Sequence, residues 1–311
     1  MSTLNINRHM VKRIIPLLVL LFLGISATEA QLLYKISGNH LSKSSYIVGT
    51  HHLTDASFVK QIPGADEAMN AAVQVCGELP FDNLFNPDTL KAMTEAMTLP
   101  EGQTLYTVFT AEQMKLIDAS VKKYFGVGLD NPTVKAQVEK LTPSALSQQL
   151  TTMMYLKAHP GGFNPMEGID NYFQKEAKKA GKPVLGLETC AFQINALLKS
   201  QTVRRQGELL MCLINNEDKA LKQITDMTEA YHNQNLNKLK EIMDEEMGGD
   251  CDSTPEEKAR LFDNRNRDWL TKMPAIMQQP TLFVVGAGHL AGPNGILKGL
   301  QQQGYTVTPM K

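Results

Sequence analysis

Short apolar runs that stop at glycine and then at an ionisable residue punctuate this chain, and helical spacing fills the intervals between them. "YIVGTHH" ends at His52, "VQVCGEL" passes through Glu78, "PVLGLE" ends at Glu188 and "LFVVGAGH" ends at His289. Runs of this kind, rich in β-branched and aromatic residues and bounded by glycine, predict strands. "QLLYKISG" and "SSYIVGTHH", joined by the turn-rich "NHLSKS", predict an N-terminal hairpin.

Elsewhere apolar residues recur at three- and four-residue intervals, which predicts helices. A helix is expected over 64–71 and a helical region over about 85–165, broken at "LPEGQT", "GLDNPT", "LTPSA" and "HPGGFNP". "GIDNYFQKEAKKAGKPVLGLET" reads as a helix and then a strand, with Asp170 as the helix cap and Gly181 as its stop. Two helices over about 191–215 and 217–246 follow, then one through "TPEEKARLFDNRNRDWLTKM", capped by Thr254 and opened by Pro255. After the last long strand come a short helix, "GILKGLQQQG", and a final strand, "YTVTPM". Strands alternating with helices, plus one hairpin, predict an α/β fold of α+β character. Its expected parts are a mixed central sheet, the hairpin, flanking helices and a helical insertion in the middle of the chain.

The first thirty residues stand apart from this pattern. A basic start (Arg8, Lys12, Arg13), an apolar run and small residues before Gln31 read as a secretory signal peptide over 1–30. Residues 31–311 are then expected to form a single domain, periplasmic or secreted. The first cysteine is Cys76, so a lipoprotein anchor is not expected, and membrane contact would arise only from an uncleaved signal. A formal net charge of −1 gives no reason to expect a nucleic-acid partner. Export also changes the reading of the four cysteines. Cys212, late in an apolar helix, and Cys251, in the polar loop after the next helix, are the preferred pair; Cys76 and Cys190 read as buried thiols. No CxxC pair is present, which leaves a zinc ribbon or thioredoxin-like site without support.

In open α/β sheets the ligand crevice lies outside the carboxyl ends of the strands. Two histidines and one or two carboxylates there suit a divalent metal with an open position for water. His52, Glu78 and His289 are the expected ligands. Glu188 is a further carboxylate, although "LET" also reads as the cap region of the following helix. Gly49, Gly286 and Gly288 are expected to allow sharp turns and close backbone approach. His51 is a secondary candidate, one residue nearer the strand. On a helix Arg265 and Trp269 share a face, where the guanidinium can stack on the indole and offer its fork to an anion. A plain salt bridge is the competing role for Arg265. His40, His159 and His232 fall in a turn, a loop and a polar helix.

At these residues the chain resembles the TraB/GumN family, which includes the Tiki-type proteases and the pheromone-shutdown proteins. The resemblance runs from "LLYKISG" to "GYTVTP" and is carried by "YIVGTHHL", "GELP", the central helix-to-strand unit, "RNRDW" and "VVGAGHLAGPNGILKGLQQQGYTV". It implies a divalent-metal-dependent hydrolase acting on peptide or protein substrates, with zinc, manganese or cobalt as the metal. His52 and His289 match the motif histidines, Glu78 the acidic position, Arg265 the arginine and Glu188 the "LET" segment. On that reading the metal would lower the pKa of a bound water, whichever of Glu78 and Glu188 is not a ligand would take its proton, and Arg265 would stabilise the oxyanion. Relatives also suggest a metal-free esterase-like enzyme with His52 held by Glu78, a non-catalytic peptide-sequestering protein, or a haem-binding protein.

Overall fold

A computed structural model describes residues 31–160 and 167–311; the expected signal segment, 1–30, lies outside them. Six strands form one sheet: β1 (Leu33–Gly38), β2 (Ser45–Thr50), β3 (Gln74–Gly77), β4 (Val184–Gly186), β5 (Thr281–Gly286) and β6 (Tyr305–Pro309). Their spatial order is β4-β3-β5-β2-β1-β6. The neighbours from β4 to β2 pair in parallel, while β1 runs antiparallel to both β2 and β6. The sheet is therefore mixed, as expected, and the N-terminal hairpin supplies its antiparallel part. β5, near the end of the sequence, sits between β3 and β2. Its register sets Phe283 against Cys76 on one side and Val284 against Val48 on the other.

Burial explains the runs in the sequence. Every residue of β2 is buried, as a strand covered on both faces requires, whereas the edge strand β6 alternates between covered and open positions. One apolar core packs on the sheet around Ile36, Ile47, Val75, Phe173, Trp269 and Phe283. A second core, around Leu105, Ile117, Val121, Leu146, Leu150 and Leu210, joins helices of the middle region to the Val203–Asn215 helix. Cys212 and Cys251 form a disulfide, while Cys76 is buried and free and Cys190 is half-buried and free.

Three expected helices are each divided. The 191–215 stretch is two helices, Cys190–Leu197 and Val203–Asn215, because Thr202 starts the second by accepting from the Arg205 N–H at 3.2 Å. The 217–246 stretch breaks after Glu217–His232, where Gln234 adopts φ 54° and Asn235 caps Leu236–Asp244. The third runs as Pro255–Lys258, a π-helical turn over Ala259–Asp263, and Asn264–Ile276. Such bulges commonly sit at functional positions. Pro274 lies within the last of these and has no N–H to offer the Leu270 carbonyl. Gln303 replaces it, donating its side-chain amide to Leu270 O at 3.0 Å.

Candidate functional site

The parallel strands β4, β3, β5 and β2 end side by side, and the expected residues follow directly. Beyond β3 and β4 the ladder continues, with Leu187 N–H donating to Gly77 O and Glu188 N–H to Glu78 O, both at 3.0 Å. This brings Glu78 and Glu188 next to each other. After β5 a single 3₁₀ turn, Ala287–His289, carries His289 back over the sheet edge. Gly49 permits that approach: a Cβ there would lie 2.8 Å from Leu290 Cδ1 and 3.0 Å from Ala287 Cα. Gly49, Gly286 and Gly288 do not adopt positive φ, so close packing rather than a left-handed turn is the reason for glycine here.

Arg265 links the cluster. Its Nη2 donates to Glu78 Oε2 and to Glu188 Oε1, each at 2.6 Å. Its Nε donates to Glu188 Oε2 at 3.2 Å, and its Nη1 to Leu261 O at 3.3 Å and His289 Nε2 at 3.1 Å. An arginine has five N–H donors, and all are engaged. Trp269 Nε1–H adds a bond to Glu188 Oε2 at 3.2 Å, and the guanidinium lies 4.8 Å from the indole centroid. Gln193 Nε2 reaches Glu188 Oε1 at 3.0 Å and Glu78 Oε2 at 3.3 Å. The Glu188 side chain is thereby 1% exposed and fully held. Thr189, not Glu188, caps the next helix, accepting from Phe192 N–H at 3.2 Å.

Because Nε2 of His289 accepts from Arg265, its Nδ1 must carry the proton, which it donates to Asn266 Oδ1 at 2.6 Å. Burial pushes the His289 imidazole down to about 4, against the pull of Glu78, so the ring is neutral near pH 7. Burial pushes the Glu78 carboxyl up. His289, Arg265 and His52, with the Gly286 N–H, outweigh this and hold it below its ordinary value. Glu78 Oε1 accepts from Gly286 N–H at 2.8 Å and faces His289 Nε2 at 4.0 Å.

His52 stands across the same cavity of about 360 Å³, which is lined also by Glu78, Arg265 and His289. Its Nδ1–H donates to Asp170 Oδ2 at 2.9 Å, and its side chain is 78% exposed. Asp170 raises the His52 imidazole to about 9 through its charge and this bond. Asp170 also accepts from the Thr50 hydroxyl. The expectation that Asp170 caps its helix is thus corrected: Gly168 holds the cap position and the carboxylate turns to the site. His51 bonds Thr54 Oγ1 at 3.3 Å and packs 5.4 Å from the Tyr231 ring, and burial pushes it down to about 4. It supports the loop.

The structure therefore bonds Glu78, Glu188, Arg265, Trp269 and His289 into one group, and sets His52 across the cavity from it. Sequence reasoning missed Asp170, Asn266 and Gln193. Asp170 was open to discovery as a carboxylate opening the helix of the "GIDN" unit; Asn266 and Gln193 carried no signal.

Among the described residues no group of three or more His, Cys, Asp or Glu side chains is spaced as metal ligands. The 4.0 Å between His289 Nε2 and Glu78 Oε1 exceeds the roughly 3.3 Å that ligand bonds of about 2.0–2.1 Å give in a tetrahedral site. The donor chemistry nevertheless fits a divalent cation. Each histidine has its Nδ1 bonded to an oriented oxygen, so Nε2 is the atom that either could offer to a cation; His289 would first have to give up its bond from Arg265 Nη1, and His52, raised to about 9, would have to lose its Nε2 proton. Glu78 and Glu188 against Arg265 also leave the buried group one negative charge in excess.

These features define a mixed α/β protein with an ionic centre at the carboxyl edge of its parallel strands. A model of the TraB/PrgY/gumN family matches residues 32–309, nearly the whole chain, and the protein belongs to that family. No curated protein and no solved structure matches it.

Proposed function

We propose that this protein is an exported hydrolase, dependent on a divalent metal, that cleaves peptides at the carboxyl edge of its sheet. One observation carries the reading: two histidines from opposite ends of the chain, each anchored through Nδ1, line one cavity with Glu78. His52, Glu78 and His289 would hold the cation, zinc, manganese or cobalt, which when bound acts as a Lewis acid and acidifies water. The protein's own groups do the rest. Asp170 orients His52, and Asn266 fixes the tautomer of His289. Glu188 is outside that ligand set and is the carboxylate left to take a proton, which it would do on releasing Arg265, Trp269 or Gln193. Arg265, with every donor engaged, positions the two carboxylates; it would stabilise an oxyanion only by releasing one of its present partners. The Cys212–Cys251 bridge supports an oxidising compartment.

A metal-free hydrolase is the second reading. The His52–Asp170 pair favours it, with Asp170 in the orienting place that the esterase-like scheme gives to Glu78.

The test is metal content and peptide cleavage of residues 31–311 purified from an export compartment, beside His52→Ala and His289→Ala. The proposal expects about one bound transition metal, lost in both variants, and a fall in cleavage of roughly 10²–10⁴-fold with folding retained. Cleavage that survives a strong chelator, without bound metal, gives the mechanism to the His52–Asp170 pair. Absence of cleavage with zinc, manganese and cobalt each supplied overturns the hydrolase reading.

A further inference from the structure

Beside the ionic cleft lies a second cavity of about 240 Å³, and none of the described residues lining it is Asp, Glu, Lys, Arg or His. Leu79, Leu84, Met93, Met97, Ile194 and Leu198 form most of its wall. Two local elements build it. Asn86 caps the Pro87–Ala96 helix, accepting from Asp88 N–H at 2.9 Å, and that helix carries Met93. The Cys190–Leu197 helix, capped by Thr189, carries Ile194. Gln193 and Leu197 line both this cavity and the cleft containing His52 and Glu78, so the two are contiguous. Leu79 and Leu84 extend the connection along the side of the cleft next to Asp170.

Four large apolar side chains in or next to these segments are exposed. Phe85, Leu90, Phe192 and Leu197 are 59%, 47%, 42% and 38% exposed. Large apolar side chains left open beside a polar cleft mark a place where something apolar is bound. Methionines suit such a wall because their unbranched side chains adapt to what enters.

We propose that this cavity is a side-chain subsite, which takes one large apolar side chain (leucine, methionine or phenylalanine) of a peptide whose backbone lies over His52 and Glu78. This deepens the hydrolase reading and rests on it for the position of the backbone. The preference for leucine, methionine or phenylalanine over serine or aspartate is set by Met93 and Met97, which line this cavity and not the ionic cleft. Cys190 also lines the cavity, which gives the inference a readout independent of turnover. It is the half-buried free thiol, whereas Cys76 is buried and its thiol is pushed up to about 12 by that burial.

The experiment uses residues 31–311 and blocked peptides that vary one residue at a time through Leu, Met, Phe, Ala, Ser and Asp. At one position kcat/KM should favour the large apolar residues over Ser by at least about tenfold. Met93→Trp, which fills the cavity, should reduce that ratio to below about threefold, and Met97→Ala, which enlarges it, should move the preference toward Phe. Saturating Leu peptide should slow alkylation of Cys190 by iodoacetamide, and the matching Asp peptide should not. A preference unchanged in both variants, or alkylation indifferent to every peptide, overturns the subsite. If wild type cleaves nothing, the hydrolase reading fails alone: protection of Cys190 by the Leu peptide, abolished by Met93→Trp, still supports the subsite, and its absence removes it.

Discussion

The carboxyl edge of the sheet and the helical core around Leu146 are both withdrawn from water, yet opposite physics holds them. In the helical core Leu105, Ile117, Val121, Leu146 and Leu210 are fully buried and apolar, so removing them from water is itself the stabilising event. At the sheet edge the buried groups are Glu188, Arg265 and His289, with Glu78 at 16% exposure. Desolvating such charges offsets much of their attraction, so an ion cluster of this kind contributes little net stability. What it provides is position: two carboxylates and an imidazole held in one arrangement by a single guanidinium. The difference separates a region held together by apolar burial from one in which charged groups are held in place.

Arg265 is where this contrast breaks most sharply. Arg265→Ala leaves two buried carboxylates without their cation and should lower unfolding free energy by about 3–5 kcal/mol in urea denaturation. Replacing all three charges at once (Arg265→Met, Glu78→Gln, Glu188→Gln) should recover most of that loss. A loss below about 1 kcal/mol for Arg265→Ala would show that the carboxylates do not depend on it.

The bridge tests the other region. Cys212 and Cys251 are 39 residues apart, and replacing both by serine should cost about 2–4 kcal/mol through the entropy of the unfolded chain. Trp269 is the sole tryptophan and lies in the ionic cluster. Its native emission should be unchanged in the double serine variant and shifted in Arg265→Ala. Equal shifts in both would mean that the two regions are not separable.

The smallest expected effect sharpens the comparison through pH. His289 and His51 are held near 4, below the ordinary 6.5, so their contribution to stability is complete above 6.5 and is lost as pH falls toward 4. His52 is raised to about 9, so its contribution is present below 6.5 and is lost as pH rises toward 9. The sheet edge should therefore be firmest near neutrality. Trp269 emission should move between pH 6.5 and 4 before far-ultraviolet circular dichroism does, and coincident transitions would refute this.

The centre of the sheet was legible because β2 and β5 are covered on both faces, which forces continuous apolar runs such as "YIVGT" and "TLFVVG". The strand-end residues were legible for the same reason: Glu78, Glu188 and His289 are each the first charged or imidazole group after such a run, and His52 is the second, directly after His51. Helix ends were less so, since Gln234 takes a left-handed conformation that its residue type does not announce. The π-helical turn before Arg265 was hidden because its residues continue an ordinary helical pattern. The supporting groups were hidden most deeply. Asp170 opens a helix and so imitates a cap, Asn266 acts through the distant His289, and Gln193 through the distant Glu78 as well as the nearby Glu188.

The strand order also has a consequence for synthesis. β5 begins at Thr281 and joins β3 to β2, so a chain still emerging, or cut before that point, holds two apolar strands with no partner between them. Unpaired edges of that composition recruit other chains. The newly made protein thus has to be shielded until almost its last residues are delivered, and C-terminal truncation should yield insoluble material rather than a smaller folded unit.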